Sequence, residues 1–432
     1  VSETAQTNRP VIVLGLGGDI GVYAFLRAGH ERYGWKPMVM SKVVTTFMRY
    51  STLVEWVPEP RMDSPDAIVA HLNTFAAEHP DHDLILFTNL DWTVRMIAER
   101  RGELDPRWKL PLCDLGAFDR VSSKTTFARV CDELGIRTPF TIDVGFTADA
   151  WNSGAVSPAD ALAQLRDRGL AYPLIGKPAS SADWFEVDFP GKHKIHHFES
   201  EDEVATVLEA LDERDYPSEF LVQEFVPGDE THMRSLTAYR STSGEVTLLA
   251  GGQVLLEEHT PGTLGIPAAI LTELDEDALD DARRFLDAAN YTGFANFDYK
   301  ISSRTGERVF FEMNPRIGRN NFYVTAAGAN VAEPVAHDLL GDAHPAPASA
   351  RPAKPAHTVL YSVVPFRLLL RYLLDPALRK RVTDAKRRHG VAHPLRYSAD
   401  GSLKRRLYVR ALDFRLARKY RTYYPKPTET GF

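Results

Sequence analysis

The sequence predicts an α/β protein that begins with a parallel-sheet domain and ends in a basic, mainly helical extension. Three observations predict it. The chain opens on a strand, a glycine turn and a helix. Short apolar runs then alternate with helical patterns as far as residue 117. Finally, a Pro/Ala stretch sets off a C-terminal piece of opposite charge.

The opening "PVIVLGLGGDIGVYAFLRAGHERYG" (10–34) has the form of a βα unit. "WKPMVMSK" (35–42), "LVEWVP" (53–58) and "HDLILFTNLD" (82–91) continue it as short buried strands, with helical periodicity over 64–79 and 91–102 between and after them. "SSKTTFARVCDELGI" (122–136) reads as a helix with Ser122 and Ser123 as candidate caps. "AYPLIGKPA" and "EFLVQEFVPGDE" are strands ending in Pro/Gly punctuation, and the polar "SSADWFEVDFPGKHKIHHF" (180–198) between them reads as a loop. "MRSLTAYRS" and "VTLLAGGQVLLEE" are further strands, and "DEDALDDARRFLDAAN" is a helix. "GFANFDYKIS" and "ERVFFEMN" form a hairpin around Ser302–Gly306. "HPAPASARPAKPA" (344–356) reads as a linker. The expected organisation is therefore 1–117, 118–345 with a central part over about 140–225, and 346–432.

At 432 residues, 44% hydrophobic and 25% charged, the chain can hold two or three globular domains. Cys113 and Cys131 lack metal-type spacing, so the expectation is free thiols in a reducing compartment. The start lacks the basic-then-apolar order of a signal peptide, and no apolar run reaches membrane-spanning length, so a cytoplasmic protein is expected. Charge is uneven. Residues 351–432 carry 20 Lys and Arg against 5 Asp and Glu, a net of +15. The rest carries 31 against 53, a net of −22. A basic end on an acidic body points to an anionic partner there, either a phosphorylated substrate or a membrane face.

The run Gly15-Leu16-Gly17-Gly18-Asp19-Ile20-Gly21 resembles a dinucleotide fingerprint, but the next strand ends on Ser41 and Lys42 where an acidic residue should stand. A tight turn packed with small residues explains it as well as an anion held at the helix N-terminus, for which Gly18 is the candidate contact. A more distributed signal lies downstream. Alternation puts Phe310, Glu312 and Asn314 on one sheet face, and Asp298 lies on the neighbouring strand of the hairpin. Such oxygens are satisfied either by backbone and water or by Mg²⁺, which takes one or two carboxylates together with phosphate oxygens. Lys124 at a helix start and Lys177 at a strand end are ordinarily solvated ends; beside a metal hairpin they become point charges for phosphates. Gln223-Glu224-Phe225-Val226 offers strand backbone to a base edge, and Glu230 after the Gly turn could accept from ribose hydroxyls.

Taken in order, Lys124, Lys177, "QEFVPGDE", Asp298 and "EMNPR" resemble the ATP-grasp superfamily over residues 118–345, and the first domain resembles the Rossmann-like domain that precedes it in such ligases. The resemblance implies ATP and two Mg²⁺, for which Mn²⁺ can substitute. It implies Lys124 and Lys177 on the phosphates, Gln223 with the backbone of Glu224 and Val226 on adenine, and Glu230 on ribose. Asp298, Glu312 and Asn314 would bind metal, with Glu312 bridging, and the loop 180–194 would be a lid. Arg316 would stabilise the transferring phosphate and the tetrahedral intermediate. Gln223 departs from the common Glu, and Asn296 stands where some peptide-forming ligases carry Arg, which shifts weight to Arg316 and Arg319. "EMNPRIGRNNFYVTAAGAN", "LEEHTPGTLG" and the N-terminal run are most similar to carboxylate–amine ligases of the D-aspartate ligase type. These join D-aspartate to a lysine side-chain amine of a peptidoglycan precursor, which implies a nucleotide- or lipid-linked acceptor and no nucleic acid.

Asp91, beyond a strand's C-terminal end where open α/β sheets bind ligands, is a further candidate substrate contact. Glu257, Glu258 and His259 line either an acceptor pocket or a solvated turn. Arg234 would meet a substrate carboxylate or pair with Asp229. In the extension, "VVPFRLLLRYLLDPALRKR" and "LKRRLYVRALDFRLARKYR" are basic amphipathic stretches, suited to a membrane interface or to docking on the body. Two other function classes remain open at this point. One is a dinucleotide-binding oxidoreductase built on the Gly motif, and the other is a non-catalytic module that binds anions through its tail.

Overall fold

Strands β1 (Val11–Leu16), β2 (Lys36–Ser41), β3 (Glu55–Pro58), β4 (Asp83–Thr88) and β5 (Trp108–Lys109) form one parallel sheet in the order β3-β2-β1-β4-β5. β1 is buried along its whole length, as a central parallel strand covered on both faces must be. The computed structural model describes residues 9–179, 181–193, 195–260, 263–341 and 352–428. Arg137–Pro227 is one compact unit; the chain up to Ile136 and from Gly228 onward forms the other.

In the smaller unit, β6 (Thr141–Val144), β7 (Leu174–Pro178), β8 (His196–Phe198) and β9 (Phe220–Glu224) form an antiparallel sheet ordered β6-β9-β7-β8. The stretch expected to be a loop over 180–198 is not irregular throughout. Ser181–Glu186 is a short helix and 196–198 is β8, while residues 180 and 194 lie outside the described residues. Apolar Trp184 and Phe198, spaced among polar neighbours, supply the core contacts that order it.

The larger unit adds β10 (Met233–Arg240), β11 (Val246–Glu257), β12 (Pro267–Thr272), β13 (Gly293–Ile301), β14 (Arg308–Asn314), β15 (Leu360–Ser362) and β16 (Val391–Ala392), ordered β14-β13-β10-β11-β12-β15-β16. Helix Glu276–Ala288 is capped by Asp275 and packs Phe285 on Phe297 of β13. Ser123 caps helix Lys124–Glu133 by accepting from Thr126 N–H, whereas Ser122 closes the preceding helix Leu115–Ser122.

The basic extension departs from a loose appendage. β15 pairs with β12 and β16 with β15, so the extension completes the sheet. Of the expected linker, 344–351 lie outside the described residues. Ala353, which follows, exchanges backbone hydrogen bonds with Thr247 and Leu249 of β11. Leu368, Leu369 and Tyr372 of helix Phe366–Tyr372 are core residues, so the first basic stretch has no free apolar stripe. Cys113 and Cys131 are buried free thiols. No helix among the described residues is long and apolar enough to cross a membrane.

Candidate active site

The hairpin β13–β14 positions the acidic centre. Asn296 is paired with Asn314, Asp298 with Glu312, and Tyr299 with Phe310, so Phe311 is an extra residue on β14. This bulge corrects the expected alternation. Phe310 turns to the core face beside Tyr299, with ring centroids 4.9 Å apart, while Glu312 and Asn314 share the opposite face with Asp298 and Asn296. Without it, Glu312 and Phe310 would compete for one environment.

Asn314 Nδ2 lies 3.2 Å from Asp298 Oδ2 and 3.4 Å from Glu312 Oε1. Asn296 Nδ2 donates to Asp298 Oδ1 at 3.3 Å. Burial, then the Glu312 carboxylate, push the Asp298 carboxyl up; Arg316 and the two amides oppose the shift. Arg316 donates to Asn314 Oδ1 at 3.0 Å and forms an ion pair with Asp91 at 3.2 Å. Asp91, Lys124, Glu312 and Asn314 line one cavity of about 240 Å³ with apolar walls from Phe118 and Phe127. Two half-buried carboxylates beside one amide call for a cation, and the hard oxygen set suits Mg²⁺. Among the described residues no three His, Cys, Asp or Glu cluster for a metal, and the Asn314 side-chain oxygen is the candidate third protein ligand. That requires its amide, assigned here with nitrogen toward the carboxylates, to turn over.

A second group forms around Arg319. Its Nη1 meets Glu258 Oε1 at 2.7 Å and its Nε lies 3.5 Å from Asp19 Oδ2. Asp19 also caps helix Ile20–Tyr33 by accepting from Val22 N–H, and takes Asn89 Nδ2 at 3.0 Å. Asp19 was not singled out by sequence; its signal was an Asp at a helix N-cap directly after glycines. Two of the glycines are required by the backbone and by packing. Gly17 holds a φ of 93°, and a Cβ on Gly21 would stand 2.7 Å from Arg319 Cα. Gly18 lies in the same turn.

Glu230 is buried, accepts from Glu257 N–H at 2.7 Å and lies 3.3 Å from His259 Nε2. Burial pushes its carboxyl up to about 8, against the pull of that N–H. Burial holds His259 down at about 4, and the ring stacks on Tyr424 with centroids 3.6 Å apart. Arg234 is ion-paired with Glu273 at 2.9 Å rather than with Asp229, which takes His232 at 2.9 Å. On β10 Arg234 stands opposite Tyr299 of β13, next to Asp298. In the smaller unit Lys177 Nζ donates to Gln223 Oε1 at 3.1 Å, and Gln223 Nε2 donates to Thr141 Oγ1 at 2.7 Å. Glu224 N–H donates to the Phe140 carbonyl, and its side chain pairs with Arg137 at 2.7 Å. Val226 is buried.

No family model matches the sequence. In fold the chain is similar to N5-carboxyaminoimidazole synthetase from Staphylococcus aureus (TM-score 0.54, 13% identity, 81% of each chain). It is also similar to biotin carboxylase from Campylobacter jejuni (TM-score 0.54, 14% identity, 80% of this chain and 72% of that one). By this fold and its carboxylate hairpin the chain resembles the ATP-grasp ligases that join a carboxylate to an amine. Within that class it is similar to D-aspartate ligase of Enterococcus faecium (strain Aus0004), 27% identical over 420 residues, covering 96% of this chain and 97% of the relative.

Proposed function

We propose that the protein uses ATP to activate the β-carboxylate of D-aspartate as an acylphosphate and joins it to a lysine side-chain amine of a peptidoglycan precursor. The observation that carries the reaction class is the Asp298–Glu312 pair on adjacent strands, flanked by Asn314 and Arg316. Similarity to a D-aspartate ligase along nearly the whole chain supports the choice of acid.

A carboxylate oxygen attacks the γ-phosphorus and ADP leaves. The amine then attacks the acyl carbon, the C–O bond to phosphate breaks, and a proton is lost from nitrogen. Phosphate converts a poor leaving group into a good one. Asp298, Glu312 and Asn314 would hold two Mg²⁺, which would supply charge that offsets the triphosphate. Arg316, paired with Asp91, keeps a guanidinium at the edge of that centre, where negative charge builds on the transferring phosphoryl group. Arg319, fixed between Asp19 and Glu258, is a second cation, proposed for the oxyanion or a substrate carboxylate. On the smaller unit Lys177 would meet phosphate oxygens and Gln223 the adenine. Because Glu224 N–H is committed to Phe140, that residue would read the base through its carbonyl. On the larger unit Lys124 would meet phosphates and Glu230 the ribose, and Asp91 and Gly18 would stand on the substrate side.

The test is ADP release with Mg²⁺ across D- and L-amino acids, each with lysine-containing peptides or nucleotide-linked cell-wall precursors. D-aspartate should stand out, and only with an amine acceptor. Equal turnover of D-alanine would shift the acid, and turnover without any carboxylate would remove the reaction class.

A further inference from the structure

Of the two basic stretches in the extension, the first leaves one large apolar side chain, Leu374, in solvent, whereas the second leaves several along one helix. Helix Leu403–Tyr423 is held to the body along one side. Arg405, Val409 and Tyr420 are buried, Leu412, Leu416 and Ala417 pack partly against the core, and Tyr420 Oη donates to the Glu257 carbonyl at 2.6 Å. On the side away from the body the sequence should be polar, and it is not. Leu403 is 73% exposed, Leu407 57% and Phe414 79%. At 3.6 residues per turn these three project within about 40° of one another, roughly opposite the buried side chains. They form a ridge along the outermost line of the helix.

Cations flank that ridge on both sides. Arg406 and Arg410 lie to one side, Lys404, Arg415 and Arg418 to the other, and Arg421 continues the line; all six are exposed. The helix has one acidic residue, Asp413, which is turned toward the body and paired with Arg396 at 2.7 Å. An apolar apex between two basic flanks fits a bilayer interface. The apolar side chains can enter the acyl boundary while the long cationic side chains reach phosphate headgroups. A duplex or a nucleotide-linked substrate would use the cations but give Phe414 and the two leucines nothing to enter.

We infer that helix Leu403–Tyr423 is a docking surface for an anionic phospholipid membrane, bringing the site to a membrane face. The experiment is co-sedimentation of the full chain with vesicles of phosphatidylcholine alone or mixed with phosphatidylglycerol, across a salt series. Binding should require phosphatidylglycerol and weaken as salt rises. The Leu407→Ser/Phe414→Ser double variant should lose affinity by about tenfold or more while its melting temperature and ADP release in solution stay unchanged. Phe414→Trp should shift its emission to the blue on anionic vesicles. Three results overturn the inference: no binding to anionic vesicles, binding that the double variant retains in full, or tighter retention on duplex DNA that the apolar substitutions leave untouched.

Discussion

Replacing Asp400 by Asn should destabilise the larger unit by about 4 kcal/mol, because it leaves a buried guanidinium without its counter-charge. Asp400 is fully buried and its carboxylate accepts from Tyr23 Oη (2.8 Å), Ser51 Oγ (2.8 Å) and Thr52 N–H (2.7 Å). Arg405 lies 3.0 Å away, is 2% exposed, and donates to the carbonyls of Phe47 and Leu395. The pair ties the C-terminal extension to the first sheet's helices. The amide keeps the shape but offers N–H groups where the carboxylate received them. Breaking one side of such a pair costs about 3–5 kcal/mol, a third or more of a typical folding free energy. The assay is urea unfolding followed by tryptophan fluorescence, with the Asp400→Asn/Arg405→Met double variant alongside. The double variant should recover part of the loss, since the orphaned charge is gone. A single-variant cost below about 1 kcal/mol, or strict additivity in the double, would refute the claim that the extension is locked in by this pair.

Other consequences can be checked separately. Glu312→Gln should lower ADP release by about 100-fold or more at an unchanged melting temperature, because an amide cannot supply the carboxylate's charge; near-normal turnover at moderate Mg²⁺ would remove the metal assignment. Lys177→Ala should weaken ATP binding by about 10- to 100-fold in calorimetry, the value of a charge-assisted hydrogen bond, and unchanged affinity would return Lys177 to a strand end. His393 is buried, accepts from Leu395 N–H at 3.2 Å, and is held down to about 3 by burial. Its folded pKa lies below the unfolded value of 6.5, so stability is full above 6.5 and falls as pH drops toward 3. By pH 5 the loss is about 2 kcal/mol, and His393→Asn should flatten that slope relative to the parent; identical slopes would exclude the residue.

The parts legible in the sequence were those fixed by local pattern. "VIVLGL" and "LILFT" are apolar runs with no alternation, which only a strand buried on both faces requires, and they became β1 and β4. The hairpin carrying Asp298 and Glu312 was visible because its turn, Ser302–Gly306, is short and glycine-bearing. What stayed hidden depends on distant partners. The bulge at Phe311 is set by which residues of β13 it faces, so strict alternation placed Phe310 on the wrong side. β15 is three residues long and pairs across more than eighty positions of chain, a register with no local signature. Asp400 reads as a loop residue until Arg405 and Tyr23 close around it. The basic stretches looked alike in sequence because both are amphipathic. Only packing shows that Leu368 and Leu369 face the core while Leu407 and Phe414 face solvent.

The central claim is that a substrate carboxylate becomes an acylphosphate at the Asp298–Glu312 centre, and following oxygen tests it most directly. D-aspartate labelled with oxygen-18 in its β-carboxylate is turned over with ATP, Mg²⁺ and a lysine-containing acceptor, and the released phosphate is analysed by mass spectrometry. An acylphosphate breaks at its C–O bond when the amine attacks, so each phosphate should carry one labelled oxygen from the acid. Phosphate released without label would contradict the account, as would ADP formed at the same rate when the carboxylate is left out.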